Sequence, residues 1–263
     1  AVLDVGQGDC IYIRGEQGDY LVDGGSSDVS SAGIYRIEPY LLANAVDTLD
    51  YVFATHGDED HINGLRELLE NQDLGVRIRN LVLPSEEYLD EKLLELAETA
   101  RENGTRTAVM RAGDKITEKD GQTELKCLGP VEGTKLAPGN EASLVLELTY
   151  GEFCMLLTGD VEGQGEESLY KEGELPQCDV LKAAHHGSRN STATEFLDAV
   201  QPAVTLISAG VDNRYGHPHE ETLDRLKKSG CSVYSTQENG TLTVWTDGKT
   251  MRLKRFIEHP EEF

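Results

Sequence analysis

No stretch of the 263 residues approaches the ~20 consecutive apolar side chains that a membrane-crossing helix needs. Basic residues are scarce: 24 Lys and Arg stand against 48 Asp and Glu, for a net charge of −24. That balance excludes a protein that coats nucleic acid with a basic surface. It leaves room for an enzyme that meets a polyanion at one local site. The five cysteines, Cys10, Cys127, Cys154, Cys178 and Cys231, form no C-x-x-C pair, which argues against a thiolate metal site. Their odd number leaves at least one unpaired within the chain, and several lie in apolar strand-like runs where cysteine acts as a small buried hydrophobe. Ala1 is preceded by no initiator Met, and no basic, apolar leader follows it, so the sequence reads as an excised domain or mature fragment. Pro-rich linkers, low-complexity tracts and repeats are absent too. The length is ample for a core, and the simplest expectation is a single α/β domain over residues 1–263.

What is present is a regular mixture of strands and helices. "AVLDVGQGDCIYIRG" and "DYLVDGG" read as strands punctuated by glycine turns. "SSDVSSAG" reads as a flexible loop, "IYRIEPYLLANAV" as a short helix and "LDYVFAT" as a buried strand. Helical spacing after His61 predicts a helix starting near Ile62, and Gly57 is expected to tighten the turn before it. "IRNLVLP" is a strand. "SEEYLDEKLLELAETARENG" has the marks of a helix capped by Ser85 and stopped at Gly104. Strands are expected near Arg106–Met110 and Glu124–Leu128, and "SLVLELTYGEFCMLLTGD" as a hairpin turning at Gly151. "CDVLKAAHHGS", "AVTLIS", "SVYST", "GTLTVWTDG" and "TMRLKRF" read as strands, with "STATEFLDAV" and "HEETLDRLKKSG" as helices.

Reactive polar residues recur where apolar strands end: Asp23 after "YLV", His56 after "YVFAT", Asp160 after "CMLLTG", His185 and His186 after "VLKAA". Strand ends are where α/β folds assemble sites. One such acid would be an ordinary turn residue. Six of the seven histidines fall in tight motifs, and only His259 stands alone in the tail. "THGDEDHINGL" crowds two histidines and three acids into His56–His61. Carboxylates held that close repel one another, and divalent cations remove the cost. Imidazole with carboxylate suits Zn²⁺, Mn²⁺ or Fe²⁺.

The H-x-[HD]-x-D-H motif after a strand, with a later Asp and His, resembles the metallo-β-lactamase superfamily. Within it, "LDVGQGD", "YLVDGG", "THGDEDHINGL", "SLVLEL", "LLTGD", "LKAAHHGS" and "GHPH" are similar to the extracytoplasmic hydrolase domain of ComEC-type DNA-uptake proteins. The resemblance implies a four-layer αββα sandwich with two divalent ions at one edge. It assigns His56 and Asp58 to one metal, Asp60, His61 and His186 to the other, and Asp160 to both. Asp23 supports the site from behind. Asp58 stands where most members carry His, and no histidine lies between His61 and His185. Asn140 or Ser143 occupies roughly the place of the missing ligand.

A two-metal site points to phosphodiester hydrolysis by metal-generated hydroxide. The leading expectation is a nuclease acting on DNA outside the cytoplasm, at the cell surface or beyond, with Mn²⁺ or Zn²⁺. Asp60, His185 and His217 are its candidate catalytic residues, with Ser188, Lys182, Arg189 and Arg214 near the motifs as candidate phosphate contacts. A phosphodiesterase for phosphocholine or another small phosphodiester, and a non-catalytic metal-binding domain, are the competing readings. The resemblance also implies a membrane-channel domain as partner within a longer parent protein.

Overall fold

The structure is a computed structural model that describes residues 1–258, so His259 lies outside the described residues. The chain opens with an antiparallel hairpin, β1 (Ile11–Arg14) and β2 (Asp19–Val22), and a short helix α1 (Glu38–Ala43). Then come β3 (Thr48–Leu49), β4 (Tyr51–Phe53), α2 (Glu59–Glu70), β5 (Arg77–Ile78), β6 (Asn80–Pro84), α3 (Glu91–Glu102) and β7 (Arg106–Met110). The second half supplies β8 (Lys115–Thr117), β9 (Thr123–Gly129), β10 (Val145–Tyr150), β11 (Phe153–Leu157), α4 (Gly163–Lys171), β12 (Val180–Lys182), α5 (Thr194–Val200), β13 (Val204–Ile207), α6 (Glu220–Ser229), β14 (Ser232–Ser235) and α7 (Thr236–Asn239). A last hairpin, β15 (Leu242–Thr246) and β16 (Met251–Arg255), follows.

Two mixed sheets result. One has the order β1-β2-β4-β6-β7, the other β14-β13-β12-β11-β10-β9-β8. Strand alternation divides the apolar side chains into three interlayers. Val22, Phe53 and Val82 face the second sheet and meet Leu146, Met155 and Leu206 there. Their neighbours Leu21, Val52 and Leu81 point the other way, onto Leu65 and Leu68 of α2 and Leu93 and Leu96 of α3. On the far side, Leu156, Leu181 and Ile207 meet Phe196 and Leu197 of α5 and Leu226 of α6. Helix–sheet–sheet–helix is the order that these apolar faces require, and it is the expected αββα architecture.

Local structure departs from the sequence reading in several places. Helix α2 begins at Glu59, not near Ile62, so Asp60 and His61 ride on its first turn. Acids in that turn suit the positive end of the helix dipole. The helix expected from Ser85 is a 3-10 turn, Glu86–Tyr88, followed by α3, whose cap is Asp90 accepting from the Leu93 amide. The Asp90 carboxylate also explains Gly57: a Cβ there would lie 2.3 Å from Asp90 Oδ2, so the glycine admits a neighbour rather than tightening a turn. Helices α4 and α7 and strand β8 carried no clear sequence signal. Cys154 and Cys178 are bonded, joining β11 to the entry of β12, and Cys10, Cys127 and Cys231 are free.

Candidate metal centre

Asp23 directly follows β2, and His56, Asp160 and His186 lie in the loops that leave β4, β11 and β12. Both sheets therefore deliver polar groups to one shared edge. The backbone there is unusual. Asp23, His185 and His186 adopt left-handed φ values of 55°, 49° and 54°, which non-glycine residues hold only when their surroundings compel it. The "VGQGD" and "YLVDGG" segments press against the start of α2. A Cβ on Gly8 would lie 2.5 Å from the Asp60 carbonyl oxygen, so only glycine permits that approach.

Three imidazoles are held by the same device. His61 Nδ1 is 2.9 Å from Asp23 Oδ2, His186 Nδ1 is 3.0 Å from the Ser208 carbonyl, and His56 Nδ1 is 3.1 Å from Thr55 Oγ1 and 3.4 Å from Ser143 Oγ. Asp23 itself is locked by the Thr55 amide and hydroxyl, both at 2.8 Å. With Nδ1 engaged, each ring presents Nε2 to a common space. His56 Nε2, His61 Nε2, His186 Nε2 and Asp160 Oδ1 are buried and lack a hydrogen-bond partner. Buried polar atoms are rarely left so, and several converging at once mark a place built for a cation.

Among the described residues, four groups have ligand atoms within 4.8 Å of one another: His56, His61 and Asp160; Asp60, His61 and His186; Asp9, Asp160 and His186; and Asp9, Asp23 and His61. Asp160 and His61 thus connect residues from both sheets. His61 Nε2 lies 3.2 Å from Asp160 Oδ1, and His186 Nε2 lies 3.5 Å from both Asp60 Oδ2 and Asp160 Oδ2. The grouping places His61 beside His56 as well as beside Asp60. His186, not His185, belongs to it. Asp58 stands at the margin, half-exposed, 3.7 Å from His56 Nε2 and 3.6 Å from Lys92 Nζ. Glu59 points outward and pairs with Arg66 at 3.3 Å.

The electrostatics agree with this reading. Burial opposes charge on His186, yet Asp160, Asp60 and Asp9 outweigh it and lift the ring to about 10. Burial likewise opposes charge on His61, which Asp160 and Asp23 push well above the ordinary histidine range. Burial alone would raise Asp160, but His61 and His186 hold it well below the usual carboxylate range. The His56 ring beside it brings Asp58 down to about 2, against partial burial. Excess carboxylate here draws protons onto imidazoles, and a divalent ion would supply the same positive charge and release those protons. The donor set, oxygen and imidazole without thiolate, fits such an ion.

The remaining candidates fall into two kinds. His185 sits beside the groups, its Nδ1 2.9 Å from Glu162 Oε2 and its Nε2 3.5 Å from Asn140 Nδ2 and 3.7 Å from Asp160 Oδ2. Burial opposes its charge, and Glu162 with Asp160 raises it. His217 packs 5.3 Å from the His185 ring, and burial, then the charges of His186 and His185, lower it to about 4. Ser143 Oγ also accepts from the Asp160 amide at 3.2 Å, so it ties His56 to Asp160.

The phosphate contacts expected at Lys182 and Ser188 are corrected. Lys182 is fully buried, its Nζ 2.7 Å from Asp9 Oδ2, because an amine inside a strand must find its counter-charge in the core. Ser188 is buried in the turn after His186, where its hydroxyl accepts from the Asn190 amide. Arg189 is exposed and paired with Glu221 at 3.0 Å, and Arg214 lies over the Tyr215 ring.

Sequence reading missed Asp9. Its Oδ1 is 3.4 Å from His186 Nδ1 and is itself among the buried unpartnered atoms. A signal existed: Lys182 interrupts the apolar run of a buried strand, and such a lysine demands an acidic partner.

The profile of the metallo-beta-lactamase superfamily matches residues 3–211. The chain is 34% identical over 258 residues to ComE operon protein 3 of Bacillus subtilis (strain 168), covering 92% of this chain and 32% of that one. Competence protein ComA of Neisseria gonorrhoeae is 31% identical over 242 residues, covering 92% of this chain and 31% of its own. The chain thus spans about a third of the length of these curated relatives. Human tRNase Z, short form, aligns over 89% of this chain and 95% of its own, at 15% identity and a TM-score of 0.49. By its motifs, the profile match over residues 3–211 and its identity to these competence proteins, the chain belongs to the metallo-β-lactamase superfamily and is homologous to the ComEC-like competence proteins.

Proposed function

We propose that this chain is a metal-dependent phosphodiesterase that cuts DNA outside the cytoplasm. The observation that carries the reading is the convergence of His56, His61 and His186 Nε2 with Asp160 Oδ1, all buried and unpartnered, at an edge fed by both sheets. Two divalent ions held by His56, Asp58, Asp60, His61, Asp160 and His186, with Asp9 adjoining, would supply Lewis acidity for ionising water and neutralising phosphate charge. Asp60, part-exposed at the mouth, is placed to accept the proton of attacking water. Glu162 stabilises a protonated His185, which makes His185 Nε2 the group placed to protonate a leaving oxygen. His217, held neutral, orients rather than donates.

DNA is favoured by the resemblance to DNA-uptake proteins carried by the motifs. The phosphocholine reading lacks support: Tyr215, 5.6 Å from the His217 ring, is the one non-histidine ring paired with the site's imidazoles among the described residues, whereas quaternary ammonium recognition uses several aromatic faces. A charged cluster kept buried also argues against a site without activity. The Cys154–Cys178 bond supports an oxidising, extracytoplasmic location. The test is incubation with single- and double-stranded DNA plus Mn²⁺ or Zn²⁺, with bis-p-nitrophenyl phosphate as a generic control. Cleavage of the control and not of DNA would move the substrate to a small phosphodiester. Bound metal without cleavage of either would leave only binding.

A further inference from the structure

The β15–β16 hairpin lies beyond residues 3–211, the span that the family profile matches. It joins the first sheet through Val2, which bridges both Ile11 and Leu242. Its register pairs Val244 with Leu253 and Trp245 with Arg252. Alternation then gives it two unlike faces. Leu242, Val244, Met251 and Leu253 pack onto the core between the sheets. Thr243, Trp245, Arg252 and Lys254 point outward, and Phe256 continues that row past the end of β16.

This outer row differs from the rest of the molecule in two ways. Trp245, the only tryptophan of the chain, is 53% exposed, and Phe256 is 80% exposed. Between Leu242 and Phe256, Lys249, Arg252, Lys254 and Arg255 face one acid, Asp247, in a chain whose net charge is −24. Of these cations, Arg252 and Lys254 lie on the outer face, whereas Arg255, on the other face, lies over the Tyr234 ring. Exposed aromatic rings and an excess of cations are thus gathered on one ribbon of an otherwise acidic protein.

We propose that this outer face binds single-stranded nucleic acid: bases stack on Trp245 and Phe256 while Arg252, across the hairpin from Trp245, and Lys254, between the two rings, meet phosphates. Every base offers a π-face and every linkage a negative charge, so a face that carries two aromatics and two cations accepts a strand without reading its sequence. Same-face neighbours stand about 7 Å apart along a β-strand, so the row reaches across several nucleotides. The Phe256 end is linked to the metal centre through α7. The Ile257 amide donates to Asn239 at the end of α7, and α7 holds the loop of Ser208, whose carbonyl fixes His186. The inference deepens the nuclease reading and rests on it for the choice of nucleic acid over another polyanion.

Trp245 is its own reporter. The full chain is titrated with a thymidine 20-mer in low salt, following tryptophan emission, with anisotropy of the labelled strand for variants lacking the indole. Emission should be quenched. Trp245→Leu and the Arg252→Ala/Lys254→Ala pair should each weaken binding about tenfold or more. The double variant should also flatten the salt dependence of log affinity by roughly 0.7 per cation removed. Hydrolysis of bis-p-nitrophenyl phosphate by these variants should stay at wild-type level, which also reports that they fold. Unchanged oligonucleotide affinity in both variants overturns the proposal. So does emission that ignores the oligonucleotide but shifts with vesicles of phosphatidylserine, which would make the face a membrane contact. Oligonucleotide binding without hydrolysis by wild type would instead sink the phosphodiesterase reading and leave this one standing.

Discussion

Replacing Asp160 by asparagine removes one negative charge from two ligand groups at once, because its carboxylate adjoins both His61 and His186. Metal content and turnover should therefore fall together, turnover by ~10²-fold or more. Elemental analysis and bis-p-nitrophenyl phosphate hydrolysis on the same preparation check it, and full metal content with normal turnover would remove Asp160 from the site. Lys182 calls for a different measurement. It neutralises Asp9 in the core, so Lys182→Met strands a buried carboxylate beside His186 and should cost ~3–5 kcal/mol of stability. Adding Asp9→Asn to it should recover part of that loss in urea unfolding. No recovery would mean that the amine contributes by packing alone.

At the scale of the element, the turn into α5 depends on one acid from α4. Glu166 accepts from the Thr192 amide and, at 2.8 Å, from the Ala193 amide. Burial nevertheless raises its pKa from 4.5 to about 7, against those two amides and Arg225. The folded protein therefore holds this proton more tightly than the unfolded chain. Its contribution is full below pH ~4.5 and is lost as the pH rises through 7, a difference of roughly 3 kcal/mol. Glu166→Gln cannot titrate, so wild type should lose thermal stability relative to the variant between pH 5 and 8. A constant gap in Tm across that range would show that the amides keep Glu166 ionised throughout. Helix α4 also shows where sequence reading stops. "GQGEESLYK" carries two glycines and little apolar periodicity, and what makes it helical is tertiary: a Cβ on Gly165 would lie 1.8 Å from the Glu141 carbonyl oxygen. The opposite holds for "THGDEDHINGL", where His56, Asp60 and His61 are neighbours in sequence as well as in space. They were legible because a strand end and the first turn of a helix bring them together without help from elsewhere. Ser85 and Asp90 both satisfy the local rules for a cap, and only the packing of α3 decides between them.

Across the whole molecule, the αββα layering was legible because alternation within each strand sorts apolar side chains into interlayers before any long-range contact is known. Pairings over long separations were not. Lys182 meets Asp9 across 173 positions, Ser208 Oγ donates to the Gly8 carbonyl across 200, and Val2 exchanges hydrogen bonds with Leu242. The segment Val2–Asp9 is therefore synthesised well before the residues that seat it. Loop closure over such lengths comes before any contact can reward it, which makes assembly slow and late. His56, Asp58, Asp60, His61 and Asp160 all precede residue 176, yet a chain halted there lacks Lys182, His186 and Ser208. It should hold no divalent ion at concentrations that fill the whole chain, as equilibrium dialysis would report. Tight binding by that fragment would show that the residues before 176 build the site unaided. Otherwise an emerging chain stays inert toward metal until β12 and β13 have closed over Val2–Asp9, so the order of synthesis itself delays the moment at which the centre can fill.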